Sequence, residues 1–153
     1  MKKALRSILA IALIASVLCV SVSAVGPIKS QTTITYFDDG SYSVSYILSS
    51  ARPATRASAA VTDGVKAVEY YNSSDELCFI FTVIGTFSYN GRTATATSAD
   101  YDYEVFVSGW SLGSADSYCS GNTAYAEGTF ERFLSRDVVV ETSLSCSPDG
   151  NLY

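Results

Sequence analysis

The chain has 153 residues, with 10 lysine and arginine residues, 15 acidic residues, no histidine and a formal net charge of −5. Because the few cations are scattered, we expect neither nucleic acid nor an anionic membrane surface as a partner. The absence of histidine excludes Ser-His-Asp and Cys-His catalysis and histidine-containing zinc sites. A cysteine-only zinc site would need four thiolates, and only three scattered cysteines lie outside the N-terminal apolar run, so we expect no metal. No phosphate-binding loop or dinucleotide-binding motif is present, so we expect no cofactor.

The N-terminus has the pattern of a secretory signal peptide spanning residues 1–24. Three cations precede an apolar run at 8–20, and Val22 and Ala24 match the small residues before a cleavage site. The run is too short for a comfortable bilayer span. We expect cleavage, release into the extracellular medium, and a mature domain of residues 25–153 that keeps 7 cations and 15 acids, for a net charge of 7 − 15 = −8.

After the leader, a two-residue alternation of apolar and polar side chains dominates, and helical periodicity is nearly absent. TTITYF at 32–37 and SYSVSYIL at 41–48 alternate around an Asp-Asp-Gly turn and predict a hairpin. The small and polar residues 49–64 predict a flexible loop or linker. A further strand is predicted at 65–71.

Residues 77–89 are apolar on both faces, so a strand here must be covered on both sides or lie inside a sheet. Asn90 and Gly91 follow at once and predict a hairpin through a type I′ turn. The returning segment carries Ala94 and Ala96, whose small side chains leave room for the large phenylalanines across the layer.

The last third of the chain continues the alternation. Residues 100–110 predict a strand, 112–121 a flexible segment, and 122–133 with 136–146 a closing hairpin. Seven or eight strands at this spacing predict an all-β domain. We expect a single antiparallel β-sandwich, with a barrel as the alternative.

Three cysteines remain after cleavage. Cys78 lies in the apolar strand and is expected in the core. If the closing hairpin turns at residues 132–133, then Cys119 and Cys146 face each other, and a disulfide there would stabilise the fold by about 3–4 kcal/mol. A turn shifted to 134–135 would break this register, and buried free thiols are the alternative.

Aromatic residues are the main candidates for ligand binding. The sequence holds 11 tyrosines, 7 phenylalanines and 1 tryptophan. Carbohydrate-binding sandwiches stack sugar rings on exposed aromatic side chains. The candidates for this role are Trp110, Tyr101, Tyr103 and Tyr125. The alternative is that the tyrosines fill half-buried strands and that Trp110 caps the core.

The C-terminal 45 residues or so also carry a resemblance. Trp110 is followed by SLGSADSYCSGNTAYAEGTFE and then by VVVETSLSCSPDGNLY. These segments resemble small, functionally uncharacterised secreted proteins of gut-dwelling Firmicutes, which pair an SGNTA strand with a terminal L-x-C-x₃-GNL segment. The resemblance implies a secreted product of a Gram-positive bacterium and implies no chemistry.

Together these features predict a secreted, non-enzymatic binding module whose partner is a glycan or a surface protein. A carboxylate-dependent hydrolase of the glycosidase type is one alternative. Its candidate carboxylates are Asp100, Asp102 and Glu104 together with Glu127, Glu131 or Glu141. The other alternative is a structural protein that self-associates through exposed strand edges.

Overall fold

Eight β-strands and no helix make up the part of the chain that the computed structural model describes, residues 28–49 and 60–153. The strands are β1 (Ile28–Tyr36), β2 (Tyr42–Ser49), β3 (Ala60–Tyr71), β4 (Leu77–Tyr89), β5 (Ala94–Val105), β6 (Trp110–Ser120), β7 (Thr123–Arg132) and β8 (Val138–Ser145). They form two antiparallel sheets, which confirms the predicted all-β sandwich over the alternative barrel. Within the described ranges there is no helix with the length and apolarity needed to cross a membrane. The predicted signal peptide lies outside the described residues.

The first sheet contains five strands in the order β1-β2-β3-β4-β5, so every neighbour in space is also a neighbour in the chain. Local hairpin formation therefore builds the whole sheet. The predicted hairpin at 32–48 is confirmed, and Gly40 in its turn has a φ of 82°, which a residue with a side chain rarely adopts.

The predicted loop at 49–64 is partly wrong, because β3 begins at Ala60. Residues 50–59 lie outside the described part of the chain. Gly64, the last residue of the predicted loop, instead pairs with Gly85 inside the sheet. A Cβ atom at Gly64 would lie 2.5 Å from Leu152 Cδ1, so glycine is needed here for close packing rather than for a turn.

The hairpin predicted at Asn90-Gly91 is confirmed, but its turn is longer than the expected two-residue type I′ turn. β4 ends at Tyr89 and β5 begins at Ala94. Asn90 Oδ1 accepts hydrogen bonds from the backbone N–H groups of Arg92 and Thr93, and in this turn only Gly91 has a positive φ, of 80°. The asparagine therefore acts as a side-chain acceptor that mimics a backbone turn.

The second sheet contains three strands in the order β6-β7-β8. The closing hairpin predicted at 122–146 is confirmed as β7 and β8. The flexible segment predicted at 112–121 is wrong, because it forms most of β6. Its small polar residues show no clear alternation, and its strand conformation comes from pairing with β7 from Trp110↔Arg132 to Ser120↔Thr123.

The core lies between β4 and the second sheet. Phe79 and Phe81 point from β4 toward Phe130 on β7, and the Phe79 and Phe130 rings are parallel with centroids 3.7 Å apart. Strand β7 faces these rings with small residues such as Gly128. A Cβ atom at Gly128 would lie only 2.9 Å from Phe81 Cε2, so a larger residue there would collide with the ring. Ala96 is also buried, but the room for the phenylalanines is made by β7. Large side chains of one layer thus fill the space left by small ones of the other.

The two sheets differ in width, and the wider one extends beyond the narrower. The strands of the second sheet contact β3, β4 and β5 of the first sheet. Strands β1 and β2 therefore extend beyond the region where the two sheets pack together. The polar Ser43 and Ser45 therefore face the side of the second sheet, although Ile47 on the same face reaches the core. On the opposite face Val44, Ile80 and Ile84 are half-buried, and none of the described strands packs over them.

The phenylalanine stack predicts a large difference between two similar substitutions. Phe130→Ala should lower the free energy of unfolding by about 3–5 kcal/mol, because it removes a fully buried ring and leaves a cavity. Phe133→Ala removes a ring that is 86% exposed and should cost less than about 0.5 kcal/mol. Urea unfolding of both variants measures this difference, and equal losses would contradict the described core.

Candidate functional site

A groove of about 490 Å³ lies where the overhanging part of the first sheet meets the second sheet. Its wall on the first sheet comes from the polar face of β1, β2 and β3. Its other wall comes from β6, β7 and β8. The lining residues are Thr35, Ser43, Ser45, Lys66, Val68, Tyr118, Tyr125, Ala126, Glu127, Glu141, Thr142 and Ser143. The groove thus combines hydroxyl groups, two carboxylates, one ammonium group and two aromatic rings.

Two stacked tyrosines form the aromatic part of the groove. Tyr118 on β6 is the direct cross-strand partner of Tyr125 on β7, so both side chains leave the sheet on the same face. Their rings are nearly parallel, with centroids 4.9 Å apart and an interplanar angle of 8°. The ring of Tyr118 is 56% exposed, and stacking leaves the opposite face of each ring outside the pair. This pair is an aromatic platform at the surface.

Next to the tyrosines, the second sheet presents a row of carboxylates. Glu127 on β7 is the cross-strand partner of Glu141 on β8 and, on its other side, of Asp116 on β6. Like charges that stand directly opposite each other on neighbouring strands are destabilising. The described residues contain one ion pair, between Lys29 and Glu69, and it lies elsewhere. The negative charge of this row is therefore not neutralised by a salt bridge within the described structure.

Lys66 and Thr142 lie where the two walls meet. Lys66 Nζ donates a hydrogen bond to the carbonyl oxygen of Ser143 at 3.1 Å, which ties β3 to the edge strand β8. The Oγ1 atom of Thr142 is buried and has no hydrogen-bond partner among the described residues. An unpaired buried hydroxyl costs about 1–3 kcal/mol of stability.

Of the four aromatic residues predicted to bind ligand, the structure places only Tyr125 in the groove. Trp110 is only 9% exposed, so its indole lacks the exposed surface that the predicted stacking role requires. Its indole packs edge-on against Phe79 and Tyr70 at centroid distances of 5.3 Å and 5.7 Å. The alternative, that Trp110 caps the core, is what the structure shows.

Tyr101 and Tyr103 lie on β5, away from the groove. They pair with Val83 and Phe81 of β4, so both point to the core side of the first sheet. Tyr101 packs against Phe81, and Tyr103 against Phe130, although Tyr103 remains 46% exposed. Both rings cover the margin of the core, and the four predicted residues do not form one strip.

The candidate disulfide between Cys119 and Cys146 is absent, and all three described cysteines are free. Phe130 pairs with Val138, which centres the closing turn on Leu134 rather than on residues 132–133. Cys119, however, lies on β6 and pairs with Ala124 of β7. Because β7 lies between β6 and β8, Cys119 does not face the segment that follows β8, where Cys146 lies.

The remaining cysteine prediction is confirmed, because Cys78 is fully buried in the core. Burial raises the pKa of the Cys78 thiol and of the Cys146 thiol, so both stay protonated and inert. Cys119 is the exposed one of the three.

The carboxylates proposed for a hydrolase are divided between the two sheets. Asp100, Asp102 and Glu104 pair with Ile84, Thr82 and Ile80, so they lie on the face of the first sheet that points away from the sandwich. Glu131 pairs with Ser111 and does not line the groove. Glu127 and Glu141 are the only members of the set in the groove.

Among the described residues no group of histidine, cysteine, aspartate or glutamate could hold a metal ion.

Sequence reasoning missed most of the groove. Ser43, Ser45 and Lys66 belong to strands whose polar residues gave no reason to single them out. Tyr118 fell in the segment predicted to be flexible. The one available signal was the tyrosine pair itself, since Tyr118 and Tyr125 stand symmetrically about Gly121-Asn122, the two residues of a tight hairpin turn.

A second tyrosine cluster, on the outer face of the first sheet, is internally satisfied. Glu69 accepts hydrogen bonds from Tyr46 Oη at 2.6 Å, Tyr71 Oη at 2.8 Å and Lys29 Nζ at 3.2 Å. Burial alone would raise the pKa of Glu69, but these three donors outweigh it and lower the pKa. Burial and the hydrogen bond to Glu69 raise the pKa of Tyr71 to about 12. The cluster stabilises the sheet and leaves no unpaired group for a ligand.

No protein-family model, no curated protein and no solved structure matches the chain.

The unpaired hydroxyl predicts that Thr142→Val will increase stability. Valine keeps the shape of threonine and removes the unpaired Oγ1, so the free energy of unfolding should rise by about 1 kcal/mol. Thermal or urea unfolding measures this change. As a control, Thr82→Val replaces a half-buried threonine on the outer face of β4 and should have a smaller effect. A loss of stability in Thr142→Val would show that the hydroxyl is satisfied within the protein.

The Glu69 cluster predicts a specific dependence of stability on pH. Because the folded-state pKa is lowered, this carboxylate contributes stability that is fully present above the ordinary glutamate pKa of 4.5 and is lost as the pH falls through the lower pKa of the folded state. Glu69→Gln should be less stable than the parent by about 1–3 kcal/mol at neutral pH. The difference should shrink below about pH 4. Urea unfolding across this range tests it, and a difference independent of pH would contradict it.

Proposed function

We propose that this protein is a secreted, non-enzymatic module that binds glycan chains at the groove lined by the stacked tyrosines Tyr118 and Tyr125. The observation that carries the proposal is the stacked pair of Tyr118 and Tyr125 in a groove otherwise lined by hydroxyls and carboxylates. Secretion is supported by the N-terminal sequence, whose cations, apolar run and small residues follow the pattern of a signal peptide.

The chemistry of the groove suits a carbohydrate. A sugar ring has apolar C–H faces, which pack on an aromatic ring, and a rim of hydroxyl groups, which need donors and acceptors. Tyr118 and Tyr125 supply the aromatic face. Thr35, Ser43 and Ser45 supply hydroxyls that can donate or accept, and Glu127 and Glu141 supply acceptors. A few polar groups that converge beside an aromatic surface are typical of a ligand site.

A hydrolase is the second candidate, and one observation favours it. Glu127 and Glu141 face each other on neighbouring strands within the groove, and retaining glycosidases hold two carboxyl groups about 5–5.5 Å apart. Such enzymes need one carboxyl group to remain protonated, which a buried environment usually provides. Both side chains here are exposed, so the groove offers no such difference between them. We therefore propose binding rather than cleavage.

Binding to a panel of soluble oligosaccharides tests the proposal. Tyr118→Ala should weaken the affinity for any bound glycan by about five- to tenfold, because it removes the exposed stacking surface. Tyr36→Ala is the matched control, since Tyr36 is 73% exposed and lies outside the groove. Isothermal titration calorimetry measures both affinities. Equal losses in the two variants, or no glycan binding by the parent protein, would refute the proposal.

The same mixtures separate binding from cleavage. If the module only binds, the oligosaccharides remain intact on prolonged incubation. Release of new reducing ends by the parent protein, and its loss in Glu127→Gln, would favour the hydrolase instead.

A further inference from the structure

We propose that the outer edge of β1 pairs with the same edge of a second copy of this chain. The resulting two-fold dimer joins two five-stranded sheets into one continuous sheet. This dimer does not depend on the proposed glycan site. Three features support it: the openness of the β1 edge, the direction of its backbone groups, and the side chains that it presents.

Of the sheet edges formed by the described strands, only β1 is left open. The edge strands are β1, β5, β6 and β8. β5 and β6 cover each other, and the backbone N–H of Ala96 donates to the carbonyl of Gly121 at 2.9 Å. β8 lies beside β3, where Lys66 Nζ donates to the carbonyl of Ser143. β1 contacts β2 and has no comparable contact with another described strand, and the second sheet does not reach it.

The backbone groups of two residues on β1 point away from the sheet. The N–H of Phe37 donates to the carbonyl of Ser41, which lies opposite it at the end of the first hairpin. Hydrogen-bonded and non-hydrogen-bonded pairs alternate along an antiparallel ladder. Thr35 therefore bonds to β2, whereas the N–H and C=O groups of Ile34 and Tyr36 point outward.

Two such edges are complementary to each other. When Ile34 of one copy faces Tyr36 of the other, both outward-pointing residues gain a hydrogen-bonded partner. Thr35 then lies beside Thr35 of the other copy on the two-fold axis. Pairs of aromatic with β-branched residues and pairs of threonines are favourable across antiparallel strands. Because this contact occupies the same edge of both copies, association ends at the dimer.

The side chains of this edge favour pairing. Ile34 is 51% exposed and Tyr36 is 73% exposed. Tyr36 ends a row of rings, since it packs on Tyr42 at a centroid distance of 5.6 Å and Tyr42 stacks on Tyr71 at 4.9 Å. Edge strands that stay unpaired commonly carry charges, proline or a bulge. The stretch Thr33–Tyr36 has no charge and no proline, and the bulge of β1 comes before it.

Sedimentation velocity of the secreted protein tests the dimer. Concentrations from about 1 to 500 µM are needed, because a contact this small binds weakly. We expect a reversible monomer–dimer equilibrium without larger species. Ile34→Lys places a charge on the edge and should weaken dimerisation at least about tenfold. Val139→Lys adds the same charge to edge strand β8, at a valine that is 55% exposed, and should leave dimerisation unchanged.

Three results would overturn the proposed dimer. The first is a protein that stays monomeric over the whole concentration range. The second is an equal loss of association in the two lysine variants, which would place the contact elsewhere. The third is growth into larger assemblies, which pairing of β1 with itself does not allow.

A disulfide trap tests the register of the pairing. In a Cys119→Ser background, which lacks the exposed thiol, Thr35→Cys places two thiols opposite each other on the axis. Thr33→Cys is the matched control on the same face of β1, but its two thiols lie about 13 Å apart along the strands. After air oxidation we expect at least about fivefold more covalent dimer from Thr35→Cys, because only its thiols lie within bonding distance. Equal cross-linking of both variants would refute the proposed register.

Discussion

Aromatic packing between β4 and β7 positions the rest of the molecule. Phe79 and Phe81 can approach the second sheet closely because β7 presents alanine and glycine to them. This contact centres the three-stranded sheet over one side of the five-stranded one. Strand β8 then lies beside β3, β1 and β2 project beyond it, and the projecting strands form one wall of the groove. A bulkier residue at Gly128 would separate the layers on which this arrangement depends.

Two features near the groove destabilise the folded state. The carboxylates of Glu127 and Glu141 repel each other, and the Thr142 hydroxyl is buried without a partner. The cluster around Glu69 shows the opposite behaviour, because its single carboxylate accepts three hydrogen bonds, one from a lysine. The same protein thus contains one polar cluster that satisfies itself and one that does not. Charge without a counter-ion, next to exposed aromatic rings in a concave surface, is typical of a binding site.

The composition is consistent with a binding role on physical grounds. Without histidine, glycosidase-type catalysis in the groove would need a carboxyl group whose surroundings keep it protonated as the general acid, and the two glutamates of the groove are both exposed. Stacking and hydrogen bonding need no such tuning. They need a rigid platform, which antiparallel strands provide by holding cross-strand neighbours such as Tyr118 and Tyr125 in register.

The sequence by itself determined the all-β class, the sandwich and most hairpins, because alternation and turn residues are local properties that each strand carries along its own length. It also placed Cys78 in the core. Only the tertiary structure decided that Trp110 is buried, that Tyr125 lies beside Tyr118 in a groove, and that Cys119 and Cys146 do not meet. The first two outcomes depend on the offset between two sheets of unequal width, and the third depends on the position of β7 between β6 and β8. Contacts between distant segments decide which strands are neighbours and where the sheets overlap, so no local sequence pattern predicts them.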